Sequence, residues 1–88
     1  MTEMNAAALE DKIKEIVCRM TGMEKEAINS DAHFYRDLGI DSIKGIELTV
    51  ALQSEFNVQI DDFKIPELTN VHLVAKEINR LLTKQPHG

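Results

Sequence analysis

The sequence is poor in the residues that build disulfide, metal and membrane-spanning structures. It has one cysteine, no tryptophan, two prolines and no long apolar run. A single cysteine excludes an internal disulfide, and no Cys/His cluster has the spacing of a metal site. We find no apolar segment long enough to span a membrane and no secretory leader, and we therefore expect a cytoplasmic protein without a metal.

Length and charge narrow the possible functions further. The 88 residues suffice for one domain, with little room for an enclosed active site. The net charge is −5, and residues 36–67 hold seven acids against three bases. Such a surface repels nucleic-acid phosphates and attracts basic patches on proteins. We expect a monomer that binds other proteins and no nucleic acid.

Apolar residues recur at helical spacing in three segments, and no strand pattern is present. A long connection between the first two helices contains a possible helical turn near 24–28, and Asp61 and Asp62 are candidate caps of a short helix that Pro66 limits to about a turn. These features predict an all-α fold, a small four-helix bundle with three main helices, one short third helix and a long loop between helices one and two.

The predicted segments are a flexible N-terminus at 1–6, a first helix at 7–20, a second helix from Asp41 to Phe56, a last helix capped by Thr69 or Asn70, a folded domain at 7–84 and a flexible tail at 85–88.

The second helix has two apolar faces. At about 100° per residue, Leu48, Ala51, Leu52 and Phe56 share one side, which we expect to face the core. Ile43, Ile46 and Val50 form a separate stripe beside Lys44 and Glu47. The short third helix is the only cover available, so we expect the stripe to stay partly exposed as a docking surface.

Ser42 falls in the first turn of this helix, directly after the candidate cap Asp41. A helix N-terminus carries a partial positive charge and unpaired N–H groups, and it therefore accommodates a phosphate attached there. Position alone does not separate a modified serine from an ordinary capping residue.

A longer run of residues around Ser42 matches a known sequence signature and separates the two interpretations of this serine. Asp37-Leu38-Gly39-Ile40-Asp41-Ser42-Ile43, followed by Glu47-Leu48, resembles the signature of the acyl carrier protein family. The resemblance implies that a phosphopantetheinyl transferase attaches 4′-phosphopantetheine from coenzyme A to Ser42, with Asp41 contacting the transferase. It also implies that the arm holds acyl groups as thioesters and that the chain itself catalyses nothing.

The resemblance extends to the docking surface. It implies that Glu47, with Glu55 and Asp62, meets basic patches on enzymes such as ketosynthases, acyltransferases and acyl-ACP synthetases, around an apolar centre of Ile43, Ile46 and Val50. Lys44 departs from the acid common in fatty-acid carriers, and the segment looks more like carriers of polyketide or specialised fatty-acid pathways. A tethered acyl chain is expected to slip between the second helix and its neighbours, near Ile46, Val50, Leu52 and Ile65.

Three other functions are compatible with a serine near a helix start. A serine hydrolase lacks support because the glycines nearest to Ser42 stand three residues away, which breaks the Gly-x-Ser-x-Gly motif, and His33, His72 and His87 look like surface or loop residues. A peptidyl carrier of nonribosomal synthesis usually resembles Gly-Gly-x-Ser, which this chain does not match. An unmodified helical adaptor, with Ser42 only as a cap, remains an alternative.

Overall fold

Three α-helices and two short 3₁₀ helices make up the part of the chain that the structure describes. The computed structural model describes residues 5–84. Helix α1 spans Ala6–Thr21, α2 spans Ser42–Phe56 and α3 spans Val71–Lys84, while 3₁₀ helices occupy Lys25–Ala27 and Asp62–Glu67. Within the described residues there is no strand, as predicted. Of the predicted tails at 1–6 and 85–88, residues 1–4 and 85–88 lie outside the described residues, while Asn5 and Ala6 form the cap and the first residue of α1.

The helix ends follow the capping residues of the sequence. Asn5 caps α1, which begins one residue before the predicted start, and its side chain accepts the N–H of Ala8 at 2.8 Å. Gly22 ends α1 with φ 78° and Asn57 ends α2 with φ 54°, both left-handed conformations. Of the two candidate caps of the last helix, Asn70 makes the bond, accepting the N–H of Leu73 at 2.8 Å.

The predicted short helix differs from expectation in its cap and its geometry. Asp62–Glu67 is a six-residue 3₁₀ helix, and Asp61 stands at its start without a side-chain capping bond. Asp61 contributes its backbone carbonyl instead, which accepts the N–H of Lys64 at 2.9 Å. Pro66 lacks an N–H and sits near the end of this segment, where a longer helix would lose a bond.

Helix α1 packs against both α2 and α3. The core draws on all three helices and on the segment after α2, with buried residues Leu9, Ile13, Ile16 and Val17, then Leu48, Leu52, Phe56, Val58 and Ile60, then Val71, Val74, Ala75 and Ile78. Cys18 is half-buried and packs against this core.

The long loop before α2 is folded against the core. Ile28, Phe34 and Ile40 are buried along it. The N–H of Phe34 donates to the carbonyl of Thr69 at 2.8 Å, and the carbonyl of Ser30 accepts the N–H of His72 at 3.1 Å. These bonds tie the loop to the start of α3, and the loop therefore delivers the beginning of α2 to a defined place.

Candidate functional site

Ser42 is the first residue of α2, and its side chain is exposed. Asp41 caps the helix as predicted, since its Oδ1 accepts the N–H of Lys44 at 2.9 Å. The Asp41 carbonyl accepts the N–H of Gly45 at 2.8 Å, the first bond of the helical ladder. The serine therefore stands at the positively polarised end of a well-capped helix, with its hydroxyl reachable from outside.

The residues before Ser42 shape the turn that presents it. Asp37 Oδ2 accepts the N–H of His33 at 2.7 Å, which closes a turn over 33–37. Gly39 adopts φ 70°, a left-handed conformation that glycine takes without strain. Ile40 is buried, and its N–H donates to the carbonyl of Phe34 at 2.9 Å. Most residues of the Asp-Leu-Gly-x-Asp-Ser pattern thus help to position the hydroxyl of Ser42.

The imidazole of His33 has a local structural role. Its Nδ1 accepts the N–H groups of Tyr35 and Arg36, both at 3.2 Å. His33 therefore caps the turn that carries Tyr35, whose side chain is 65% exposed.

A cleft of about 560 Å³ opens beside Ser42. Such a volume lies within the range of small-ligand sites. One wall is a face of α2 in helical register, comprising Ser42, Gly45, Ile46, Thr49, Val50 and Gln53. The other walls include Leu52, Ile60, Ile65, Pro66, Leu68 and Val74, with His33, Tyr35 and Asp62 also lining it. The four residues expected around a buried acyl chain, Ile46, Val50, Leu52 and Ile65, all line this cleft.

The second apolar face of α2 is open to solvent. Ile43 is 69% exposed, Ile46 65% and Val50 58%, and they are therefore not covered by the 3₁₀ helix Asp62–Glu67. We call these three residues the α2 strip. Phe63, in that 3₁₀ helix, is 74% exposed and adds a fourth large apolar side chain to the surface.

The structure brings some of the predicted charged residues to this surface and leaves one away from it. Lys44 and Glu47 are exposed on α2, and Asp62 lines the cleft. Glu55 lies about half a helical turn around α2 from Ile46. Its carboxylate pairs with Lys12 of α1 at 3.3 Å. Glu55 therefore faces α1 and not the α2 strip.

The sequence did not predict several residues of the cleft and its rim. Thr49 and Gln53 stand seven and eleven positions after Ser42, a helical spacing that a search outward from the serine would have found. Tyr35 lies in an irregular loop and Phe63 in a six-residue segment, where no periodicity marks a face.

Three carboxylates with lowered pKa values, those of Glu10, Asp11 and Glu77, lie outside the cleft. A hydrogen bond from Ser30 to Glu10 at 2.6 Å, followed by the contact with His72, holds the pKa of Glu10 below its ordinary value. Arg80 donates two hydrogen bonds to the buried Glu77, at 3.0 and 2.6 Å, and these lower the Glu77 pKa. Glu10 joins α1 to the loop and to α3, whereas Glu77 and Arg80 both belong to α3, and neither carboxylate lines the cleft beside Ser42.

Comparison with known proteins now decides the family. The profile described as "phosphopantetheine attachment site" matches residues 11–78. An acyl carrier protein from Cyanidium caldarium is 40% identical over 60 residues, which cover 68% of this chain and 70% of the relative. The chain belongs to the acyl carrier protein family. The structure of the acyl carrier protein from Enterococcus faecalis superposes with a TM-score of 0.75 over 89% of this chain and 99% of that one, at 22% identity, and supports the fold.

Membership confirms the main expectations from the sequence. This acyl carrier protein is a carrier and not an enzyme, and its cofactor is 4′-phosphopantetheine. Its partners are enzymes that process acyl groups, and its cargo is a tethered acyl chain. No helix in residues 5–84 has the length and apolarity needed to cross a membrane.

Proposed function

We propose that Ser42 is the residue that carries the 4′-phosphopantetheine arm. The observation that supports it best is the exposed position of this serine at the capped start of α2, at the mouth of the cleft. The sequence has two other serines. Ser30 is half-buried and donates to Glu10, while Ser54 lies in the last turns of α2, far from the helix start.

The residues around Ser42 fit a phosphodiester. Backbone N–H groups in the first turn of α2 offer hydrogen bonds, and the helix dipole favours a negative group there. Asp41 keeps its carboxylate on the Lys44 N–H and so holds the helix start in place. When bound, the arm supplies a terminal thiol that holds acyl groups as thioesters. The chain's own contribution is to position the anchor and present it to partners.

The α2 strip is the docking surface in this proposal. Exposed Ile43, Ile46 and Val50 supply apolar contact area, while Glu47 and Asp62 steer basic patches of the partner toward it. The partners we propose are a phosphopantetheinyl transferase, ketosynthases, acyltransferases and acyl-ACP synthetases. Lys44 places a positive charge two residues from Ser42, where fatty-acid carriers commonly have an acid. This charge disfavours enzymes whose docking surface is complementary to an acid at that position, and it favours enzymes of a polyketide or specialised fatty-acid pathway.

The cleft is the proposed shelter for the acyl chain. Its exposed walls are mostly apolar, and burying a hydrocarbon chain there removes apolar surface from water. Ser42 lines the cleft, so an acyl chain tethered to that residue through the arm is held close to it. We assign the carrier function to residues 7–84 and the compartment to the cytoplasm.

The proposal is tested by intact mass spectrometry. The protein is incubated with coenzyme A and a broad-range phosphopantetheinyl transferase, together with Ser42→Ala and Ser54→Ala variants. The wild type and Ser54→Ala should gain the mass of one phosphopantetheine, and Ser42→Ala should gain nothing. A gain retained in Ser42→Ala would place the attachment elsewhere, and no gain in any protein would favour the unmodified adaptor.

A further inference from the structure

Gly45 is a glycine that the folded chain does not require for steric or backbone reasons. It lies inside α2, three residues after Ser42. A Cβ atom built at this position meets no atom within 4 Å. By contrast, Gly22 and Gly39 adopt φ values of 78° and 70°, where an L-residue is strained. Gly45 has no such conformation, so an alanine side chain would fit without strain.

The backbone of Gly45 is fully engaged in the helix. Its N–H donates to the Asp41 carbonyl at 2.8 Å, and its carbonyl accepts the hydroxyl of Thr49 at 2.9 Å. The glycine therefore makes neither a kink nor a break. A helix-interior glycine weakens a helix relative to alanine, because the unfolded backbone has more freedom to lose. The apo fold carries this cost in the turn next to the anchor.

The absence of a side chain at Gly45 leaves space in the cleft next to Ser42. Gly45 and Ser42 line the same cleft, and Thr49 follows one turn later on the same wall. A helix rises about 1.5 Å per residue, which places Gly45 about 4.5 Å along the axis from Ser42. Ile46 and Val50 line the same wall, and Gly45 is the first residue after Ser42 in the chain that lines the cleft.

We propose that Gly45 forms a gap through which an acyl cargo enters the cleft, and that the size of the side chain at this position controls whether the cargo is sheltered. This inference rests on the proposed attachment at Ser42. The apolar walls beyond the gap suit a hydrocarbon chain, since contact with them removes its surface from water. A larger residue at position 45 narrows the entrance while leaving the core untouched.

The test compares the wild type with Gly45→Ala and Gly45→Leu. Alanine and leucine have similar helix propensities and differ in bulk, which separates helix stability from the width of the gap. Each protein is loaded in one step from octanoyl-coenzyme A by the transferase, and loading is verified by mass. Thermal unfolding is recorded for the apo and octanoyl forms, and the rate of thioester cleavage by hydroxylamine is measured.

Both variants should unfold at a higher temperature than the wild type in the apo form, by about 4 °C or more. Octanoyl loading should raise the unfolding temperature of the wild type, raise that of Gly45→Ala less, and leave Gly45→Leu almost unchanged. Cleavage by hydroxylamine should accelerate in the same order, approaching in Gly45→Leu the rate for octanoyl-coenzyme A. Ser54→Ala and Ser54→Leu, on the opposite side of α2, serve as controls and should respond to loading like the wild type.

Equal responses to octanoyl loading in all three proteins would overturn the inference, and so would an apo Gly45→Ala less stable than the wild type. A third result would also overturn the role in cargo entry: Gly45→Leu is not loaded by the transferase, while octanoyl loading changes the unfolding temperature of Gly45→Ala as much as that of the wild type. That result would assign Gly45 to the contact with the transferase. No mass gain at Ser42 in the wild type would overturn the attachment site and this inference together. A normal mass gain with equal shifts would overturn this inference alone.

Discussion

Leu48 and Ile46 lie two residues apart on α2, and their alanine variants should behave in opposite ways. Leu48 is 4% exposed, whereas Ile46 is 65% exposed. Truncating a buried leucine to alanine costs about 2–5 kcal/mol, because the lost contacts leave a cavity. Domains of this size are stable by about 4–13 kcal/mol, so Leu48→Ala removes a large fraction of the free energy of unfolding. In a small domain this lowers the unfolding temperature by about 10 °C or more.

Ile46→Ala should change the free energy of unfolding by less than about 0.5 kcal/mol, since little of its surface is buried and alanine favours the helix. Urea unfolding of the two apo variants and the wild type measures both effects, with equal slopes showing that all three unfold in the same way. Val50→Ala, at 58% exposure, is a second test of the same surface.

The same variants separate folding from docking. Ile46→Ala should lower kcat/KM for the transferase or a ketosynthase acting on this carrier while its stability stays unchanged, because the removed side chain belongs to the contact surface. A loss of about 2 kcal/mol or more in Ile46→Ala would show that the α2 strip is packed in solution. Unchanged kinetics with every partner would show that the strip is not used, and the docking proposal would be refuted.

Two further predictions concern the charged pairs outside the cleft. Glu77→Gln should lose about 1 kcal/mol of stability at pH 7. Because Arg80 lowers the folded pKa of Glu77, the contribution of this carboxylate to stability is present above about pH 5 and is lost as the pH falls through the folded pKa. The free energies of unfolding of Glu77→Gln and the wild type should therefore converge between pH 7 and pH 3. Parallel curves would refute this prediction. Ser30→Ala should raise the pKa of Glu10 toward its ordinary value, since the 2.6 Å hydrogen bond to Glu10 is the largest cause of its lowering. An NMR titration of the Glu10 carboxyl measures this, and an unchanged midpoint in the variant would contradict the assignment.

Short-range rules explain why so much of the fold was predictable. The ends of α1 and α2 coincide with Gly22 and Asn57, and the start of α2 with Asp41, because caps act through bonds to neighbours only three or four residues away. The two apolar faces of α2 follow from helical geometry alone. Asp61 shows the limit of this reasoning, since a residue of the right type stands at the right place and its carboxylate makes no capping bond.

Local sequence patterns did not predict the contacts between distant segments. The pairing of Glu55 with Lys12 depends on how α1 lies against α2, and it removes Glu55 from the predicted docking surface. The contact of Ser30 with Glu10 and His72 likewise joins three segments through packing. Tyr35 reaches the cleft because the turn capped by His33 folds back toward α2.

The sequence by itself determined the helices, their ends, the acidic balance and the serine at a helix start, because each depends on residue type and on spacing within a few turns. Tertiary structure alone decided how far the second apolar face of α2 is exposed, that a cleft lies beside Ser42, and that a side chain at position 45 would meet no neighbour. The physical reason is that exposure, cavities and free space are set by the relative placement of elements far apart in the chain, and no local pattern encodes that placement.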